Sequence, residues 1–303
     1  MGLRSLVRNR RQRLLYKAVI MINPLPHPNP GHRPAARHAL LVAGVLWLLC
    51  AHALADNGRL ILAIQPTQST ATTHAVYQPL ADYISKVTGK TCVLLTHPDF
   101  FAYWHTIRLG KGYDLALDEA HFTDYCIQKL SFTVLVKMPA MVTYSLVVKG
   151  KKRNVHPGQL AGRRIATLGI PSVGAARLNA IFPNPTRQPI TIETDSVEEA
   201  MQLLLDGKVV TAILPTPYVN QQIASGANIR VVLLTEPIPH IALSAAPSMD
   251  VGTRNTLRKA LLDAGKTPDG RHMLQAMTIE KFDPATAAIY VGQSRILAEY
   301  WGY

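Results

Sequence analysis

The residues best suited to chemistry lie where apolar runs end. Arg164-Ile165-Ala166-Thr167-Leu168 reads as a buried strand, and Gly169-Ile170-Pro171-Ser172-Val173-Gly174-Ala175 follows it at the start of a helix expected over Ser172 to Phe182. Such a junction aims free backbone N–H groups and a hydroxyl beyond the strand end, where they hold a phosphate or carboxylate without a basic side chain. Ser172 could equally cap its own helix. Gln68-Ser69-Thr70 precedes another helix in the same way and carries the same two readings. A third cluster, Asp118-Glu119-Ala120-His121, follows the strand-like run Tyr113 to Leu117. Its two carboxylates would repel a fully ionised anion, yet could accept hydrogen bonds from a protonated oxygen or pair with an amine. Alternatively, Asp118 or Glu119 caps the next helix. His121, flanked by Asp118 and Asp124, is the one candidate acid-base group, and a lone histidine explains it as well. No G-x-S-x-G elbow accompanies it, so no residue is assigned a catalytic role. No CxxC or HExxH pattern is present, and neither a metal nor a cofactor is expected.

These segments need elements to hold them. From Arg59 the chain alternates β-rich apolar runs with amphipathic helical stretches, the pattern of an α/β fold with a largely parallel sheet. Leu60 to Ile64 is a strand. The next helix carries Val76, Leu80, Ile84 and Val87 at helical spacing and closes at Gly89. Cys92 to Leu95 is a strand and the aromatic stretch Asp99 to Leu109 a helix, whose Phe100, Phe101, Tyr103 and Trp104 read as core. A helix from His121 to Lys129 and strands at Phe132 to Lys137 and Val142 to Val148 follow. A second unit repeats the plan, with strands at Arg164, Ile190, Val209 to Leu214 and Ile229 to Leu234. Its second helix opens on a capping box, Ser196 with Glu199. Past Ile241-Ala242-Leu243, helices are expected at Thr253 to Ala264 and Pro284 to Trp301, the latter started by Asp283-Pro284. Two such units imply two lobes and a cleft lined by strand carboxyl ends.

Charge initially points elsewhere. The chain of 303 residues carries 32 Lys and Arg against 19 Asp and Glu, a net charge of +13. Eight of the basic residues precede Asp56, the first acid, and lead into the apolar run Ala39 to Leu49 and the triplet Ala53-Leu54-Ala55. That is the form of a secretory signal peptide over residues 1–55; an uncleaved anchor or lipid attachment at Cys50 are the alternatives. Without it, 24 basic residues face the same 19 acids, a net +5, and a nucleic-acid partner loses its support. Lys149, Lys151, Lys152 and Arg153 read as a solvated loop. Cys92 and Cys126 would reach an oxidising compartment, where they could pair or stay buried and single.

Several ordered segments resemble the periplasmic solute-binding proteins of ABC importers for phosphate, phosphite and phosphonates. They are Tyr77-Gln78-Pro79-Leu80-Ala81-Asp82-Tyr83-Ile84 with Thr88-Gly89; Gly112-Tyr113-Asp114-Leu115-Ala116; Tyr144 to Val148; Leu160 to Ala166; and Ala200 to Leu205 with Asp206-Gly207-Lys208-Val209. The resemblance implies a two-lobed type II periplasmic binding fold, each lobe a mostly parallel sheet flanked by helices. Lobe 1 would comprise residues 56–140 and 240–303, and lobe 2 residues 141–239. It also implies a monomer in the periplasm that closes around a small oxyanion and passes it to an inner-membrane ABC permease. The segment holding the anion in that family falls on Ser172, Val173 and Gly174; Ser69, Thr70, Glu119, His121, Tyr144, Thr216 and Tyr218 complete the expected site. Two departures stand out. The family's small Gly-Pro turn after the third strand is replaced by Asp118 to Tyr125, and its acidic residues near the fifth strand of lobe 2 by Val210 and Pro215-Thr216-Pro217-Tyr218. The second departure argues against aminoalkyl phosphonates, whose amine needs a carboxylate. A ligand-sensing module for an envelope kinase is the alternative function, and a hydrolase or transferase using His121 a more remote one.

Overall fold

In a computed structural model of the chain, residues 58–150, 156–300 and 303 are described; the signal-like segment, Cys50, the cluster Lys151-Lys152-Arg153 and Trp301 fall outside them. The chain begins with β1 (Arg59–Ile64), α1 (Thr70–Thr88), β2 (Thr91–Leu95), α2 (Phe100–Ile107), β3 (Leu115–Asp118), α3 (Ala120–Leu130) and β4 (Thr133–Lys137). A short β5 (Met141–Val142) leads into β6 (Tyr144–Lys149), β7 (Arg164–Leu168), α4 (Val173–Ile181), β8 (Ile190–Thr194), α5 (Val197–Leu205), β9 (Thr211–Pro215), α6 (Thr216–Ala224) and β10 (Ile229–Leu234). The chain then returns through β11 (Ile238–Pro239) to β12 (Ala242–Ala245), α7 (Val251–Leu262), α8 (Pro268–Ala276) and β13 (Asp283–Pro284).

Two sheets result. One runs β13-β4-β12-β3-β1-β2 and the other β10-β6-β9-β7-β8. In the first, β1 pairs in parallel with β2 and β3, and the returning β12 lies antiparallel between β3 and β4. In the second, β7 pairs in parallel with β8 and β9, and β6 and β10 are antiparallel. The outgoing β5 and returning β11 pair with each other, Ile238 opposite Val142 and Pro239 opposite Met141. Thus the two segments that pass between the sheets form one narrow ribbon, and the expected single strand Val142 to Val148 is divided in two.

Local signals explain most boundaries. Asp99, Ser172, Ser196 and Asp250 cap α2, α4, α5 and α7 by accepting the amides of Ala102, Ala175, Glu199 and Thr253. Gly89 ends α1 at φ 69°, a left-handed conformation that costs glycine little. On one face of the first sheet, Leu62, Leu117 and Leu243 pack with Leu80, Ile84, Leu257, Leu261 and Met273, all buried. Each such side chain contributes roughly 1.5–3 kcal/mol of transfer free energy. Beneath α3 the aromatic stretch forms core as expected: Phe100, Tyr103 and Trp104 are buried, and Phe122 and Tyr125 pack against them. Phe101 is the exception and faces outward at 55% exposure.

The carboxyl-terminal stretch corrects the expected helix from Pro284 to Trp301. Asp283 and Pro284 do not start a helix but pair as an edge strand with β4, and 3-10 turns follow at Ala287–Tyr290 and Gln293–Leu297. Gly292 between them sits at φ 87° and interrupts any continuous helix. Tyr290 and Leu297 nonetheless anchor the segment in the core. Two helices absent from the sequence reading are α6 and α8, each with a proline in its first turn, where a missing N–H does no harm. Cys92 and Cys126 are both buried and both free, so the pairing left open from the sequence does not form.

Candidate ligand-binding site

The first sheet brings Glu119 to the site. It follows the last residue of β3 and stands at the N-cap position of α3, but its side chain makes no cap hydrogen bond. Its backbone N–H donates to Gln65 Oε1 at 2.6 Å, which ties the turn to the end of β1. Its carboxyl, thus directed away from its own helix, accepts from the Tyr144 hydroxyl on β6 of the second sheet. Glu119 and Tyr144 are both buried. Burial pushes the Glu119 carboxyl up to about 7, opposed by its hydrogen bond from Tyr144 and by the nearby polar hydrogens of the Gln65 side chain and the Val173 amide, all of which favour the charged form.

Val173 is the first residue of α4, so its amide is one of the donors a helix start leaves unsatisfied. Ser172 is capping: its Oγ accepts from Ala175 N at 3.2 Å and donates to Leu168 O at 2.9 Å. Its hydroxyl thus fulfils the capping reading. The first amides of α4 remain without intrahelical partners, and that of Val173 acts electrostatically on the Glu119 carboxyl. Gly174 is required by close approach, since a Cβ there would lie 2.9 Å from Thr167 Oγ1 and 3.5 Å from Tyr144 Cε1.

His121, buried on α3, places Nε2 3.0 Å from the carbonyl oxygen of Pro171 in the second lobe. A carbonyl only accepts, so Nε2 carries the proton and Nδ1 is a bare acceptor in the neutral ring. Burial drives the ring down to about 3, against the Pro171 bond, and keeps it neutral. Nδ1 lies 4.0 Å from Glu119 Oε2. Neither atom has a hydrogen-bond partner among the described residues, nor do Asp118 Oδ2 and Thr167 Oγ1. The other oxygen of Asp118 accepts from the Tyr103 hydroxyl. Burial pushes the Asp118 carboxyl up to about 8, opposed by Tyr103 and assisted by the charge of Glu119.

The expected site residues therefore divide. Glu119, His121, Tyr144, Ser172, Val173 and Gly174 meet where the two lobes touch. Ser69 belongs to a neighbouring contact: its Oγ caps α1 through Thr72 N at 3.3 Å, while its own N–H donates to Glu198 Oε2 at 3.3 Å, from the first turn of α5. The charge of Glu198, after burial, also raises the Tyr218 phenol, to about 12. Thr70 is exposed at the first position of α1. Thr216 Oγ1 lies 2.7 Å from Thr143 Oγ1 and 2.8 Å from Ser145 Oγ, where it joins α6 to β6 rather than facing Glu119. Residues missed from the sequence are Gln65, Thr167, Glu198 and the Thr67 carbonyl, which accepts from Val197 N at 3.0 Å. Gln65 was discoverable, because it closes a strand whose carboxyl end must face the cleft.

Residues 62–290 match the family described as "ABC transporter, phosphonate, periplasmic substrate-binding protein". No curated protein matches the chain in sequence. Among solved structures, PhnD1 from Prochlorococcus marinus (MIT 9301) in complex with methylphosphonate aligns with TM-score 0.70 at 13% identity, covering 80% of this chain and 98% of that one. A binding protein component of an ABC phosphonate transporter from Pseudomonas aeruginosa aligns with TM-score 0.66 at 14% identity, over 76% and 82%. XAC2383 from Xanthomonas citri, bound to ATP, gives 0.62 at 14% identity, over 78% and 98%. At such identities these likenesses establish the two-lobed fold.

Proposed function

The chain belongs to the periplasmic substrate-binding proteins of phosphonate ABC transporters, and on that premise we propose that it binds one small oxyanion of the phosphate, phosphite or phosphonate class between its lobes. Its role is that of a solute-binding component rather than an enzyme. The oxyanion is held at the start of α4 and handed to an inner-membrane permease by a monomeric protein exported through its N-terminal signal. The observation that supports the ligand class is the buried Glu119 carboxyl, a group with the same acceptor oxygens as a phosphonate, accepting from the Tyr144 hydroxyl beside the start of α4. Neutral donors and a helix dipole at that point favour anions of either one or two charges.

Lobe 1 (residues 56–140 and 240–303) and lobe 2 (residues 141–239) would rock about the ribbon of β5 and β11, which is narrow enough to bend while both sheets stay rigid. Ligand shifts the balance toward closure because only the closed form offers it donors from both sides. Alkyl rather than aminoalkyl phosphonates fit best. The end of β9 runs into Pro215-Thr216-Pro217-Tyr218 and adds no carboxylate from lobe 2, while the carboxyls from lobe 1, Asp118 and Glu119, are pushed up by burial and already take the Tyr103 and Tyr144 hydroxyls. Calorimetric titration with inorganic phosphate, phosphite, methylphosphonate and aminoethylphosphonate tests the reading. Saturable binding of one of the first three, with aminoethylphosphonate weakest, is expected; heat from none of them would refute it.

A further inference from the structure

Beside the start of α4 the chain supplies a carboxylate of its own, on Tyr144, whose ring would lie 3.5 Å from a Cβ at Gly174. Glu119 comes from the opposite sheet and is buried to 4% exposure; its carboxyl takes the Tyr144 hydroxyl. His121, two residues on, makes a second connection across the lobes to the Pro171 carbonyl at 3.0 Å. The same exchange recurs in the other direction, where Glu198 of lobe 2 receives the Ser69 N–H at the start of α1 in lobe 1. Val197 N also reaches the Thr67 carbonyl at 3.0 Å. Each lobe thus places a glutamate against a helix start of the other.

We propose that Glu119 is a tethered carboxylate that links the two lobes through the Tyr144 hydroxyl and must give up that hydroxyl before an oxyanion can occupy the neighbouring start of α4. This rests on the oxyanion reading above and adds what sets its affinity and selectivity. A ligand oxygen that takes the Tyr144 hydroxyl cannot share it with Glu119, because that donor has one proton to give. An ionised ligand beside an ionised Glu119 and Asp118 would also meet like charges in a buried site. The groups facing Glu119 are Asp118 and His121 beside it, Gln65 from the end of β1, Tyr77 from α1, Tyr144 from β6 and the Val173 amide, with Arg177 of α4 acting on Tyr144. None of these side chains is a cation paired to Glu119: His121 is held neutral. Displacement is therefore easiest when Glu119 is protonated, and binding should weaken as the pH rises through the range where it ionises.

Glu119→Ala and the isosteric Glu119→Gln separate this from the alternative, in which Glu119 stays in place and accepts a hydrogen bond from a protonated ligand oxygen. Calorimetric affinities for methylphosphonate and inorganic phosphate at pH 8 should tighten about tenfold or more in Glu119→Ala. In Glu119→Gln the wild-type affinity advantage of pH 6 over pH 8 should shrink to the part caused by the ligand's own titration. Unchanged or weaker binding in both variants overturns the proposal. X-ray scattering of the ligand-free proteins supplies a readout that needs no ligand: a larger radius of gyration in either folded variant than in the wild type supports the tether, and equal radii refute it. Should no oxyanion bind any of the three proteins, the ligand reading fails and the scattering comparison alone decides whether Glu119 holds the lobes together.

Discussion

The Tyr144 hydroxyl donates to the Glu119 carboxyl, joining the first residue of β6 to the turn after β3, with both side chains buried. A neutral donor on one lobe and an acid on the other make a contact between the lobes that is sensitive to protonation.

Replacing Tyr144 with Phe keeps the ring and removes the donor. A buried carboxylate left short of a hydrogen bond costs about 1–3 kcal/mol. Denaturant titration at pH 8 should show a loss of that order, and a smaller one at pH 6, where Glu119 is protonated and needs the donor less. Equal losses at the two pH values would show that the bond is made as strongly to the neutral acid.

The pH dependence of stability follows from four buried groups. Asp118 and Glu119 rise from 3.8 and 4.5 to about 8 and about 7, so the fold binds their protons more tightly and their contribution declines as pH rises toward 8. His121 and His240 fall from 6.5 to about 3 and about 4, so their contribution is lost as pH falls below 6.5. The two pairs oppose each other between roughly pH 4.5 and 6.5, and only the carboxyls act above that. Calorimetric unfolding should show little change in stability between roughly pH 4.5 and 6.5 and a decline from there to pH 8. Asp118→Asn should remove most of the alkaline decline, and a wild-type stability that increases from pH 6 to pH 8 would contradict the assignment.

Gly174→Ala tests the packing under α4. Its Cβ would press on Thr167 Oγ1 at 2.9 Å, tighter than real contacts allow, and on Tyr144 and the Ile213 carbonyl at ordinary range. Overpacking of this kind costs roughly 1–3 kcal/mol. Thr167→Ala removes the obstructing oxygen, which has no hydrogen-bond partner among the described residues. The double variant should therefore recover much of the loss, a coupling that a thermodynamic cycle measures directly. Additive losses would mean that the ring of Tyr144 or the backbone, not Thr167, limits the space.

Elements defined by neighbours in sequence were legible. The strand Arg164–Leu168 and its Ser172 cap, the helix opened by Ser196 and the glycine at the end of α1 all lie where local pattern puts them. Even here the capping box is shifted: Glu199 Oε2 reaches back to Asp195 N at 3.1 Å, one residue before the cap. The carboxyl-terminal segment was not legible, because its helical spacing competes with pairing of Asp283 and Pro284 to an edge of a sheet formed 146 residues earlier, at Lys137. Packing against a distant strand leaves no mark on the local period.

The sequence alone determined that the chain holds two α/β units, that a helix start follows Leu168, and that carboxylates stand at the end of the third strand, since caps, glycines and hydrophobic spacing act over a few residues. It left open whether Ser172 and Glu119 serve a ligand or their own helices. Only the tertiary structure decided that Ser172 caps α4, that Glu119 caps nothing, and that its carboxyl accepts from Tyr144. The physical reason is distance along the chain: Glu119 meets residues 25 and 54 positions away, through Tyr144 and Gln65, and no local pattern encodes which buried acceptor a free helix amide will find.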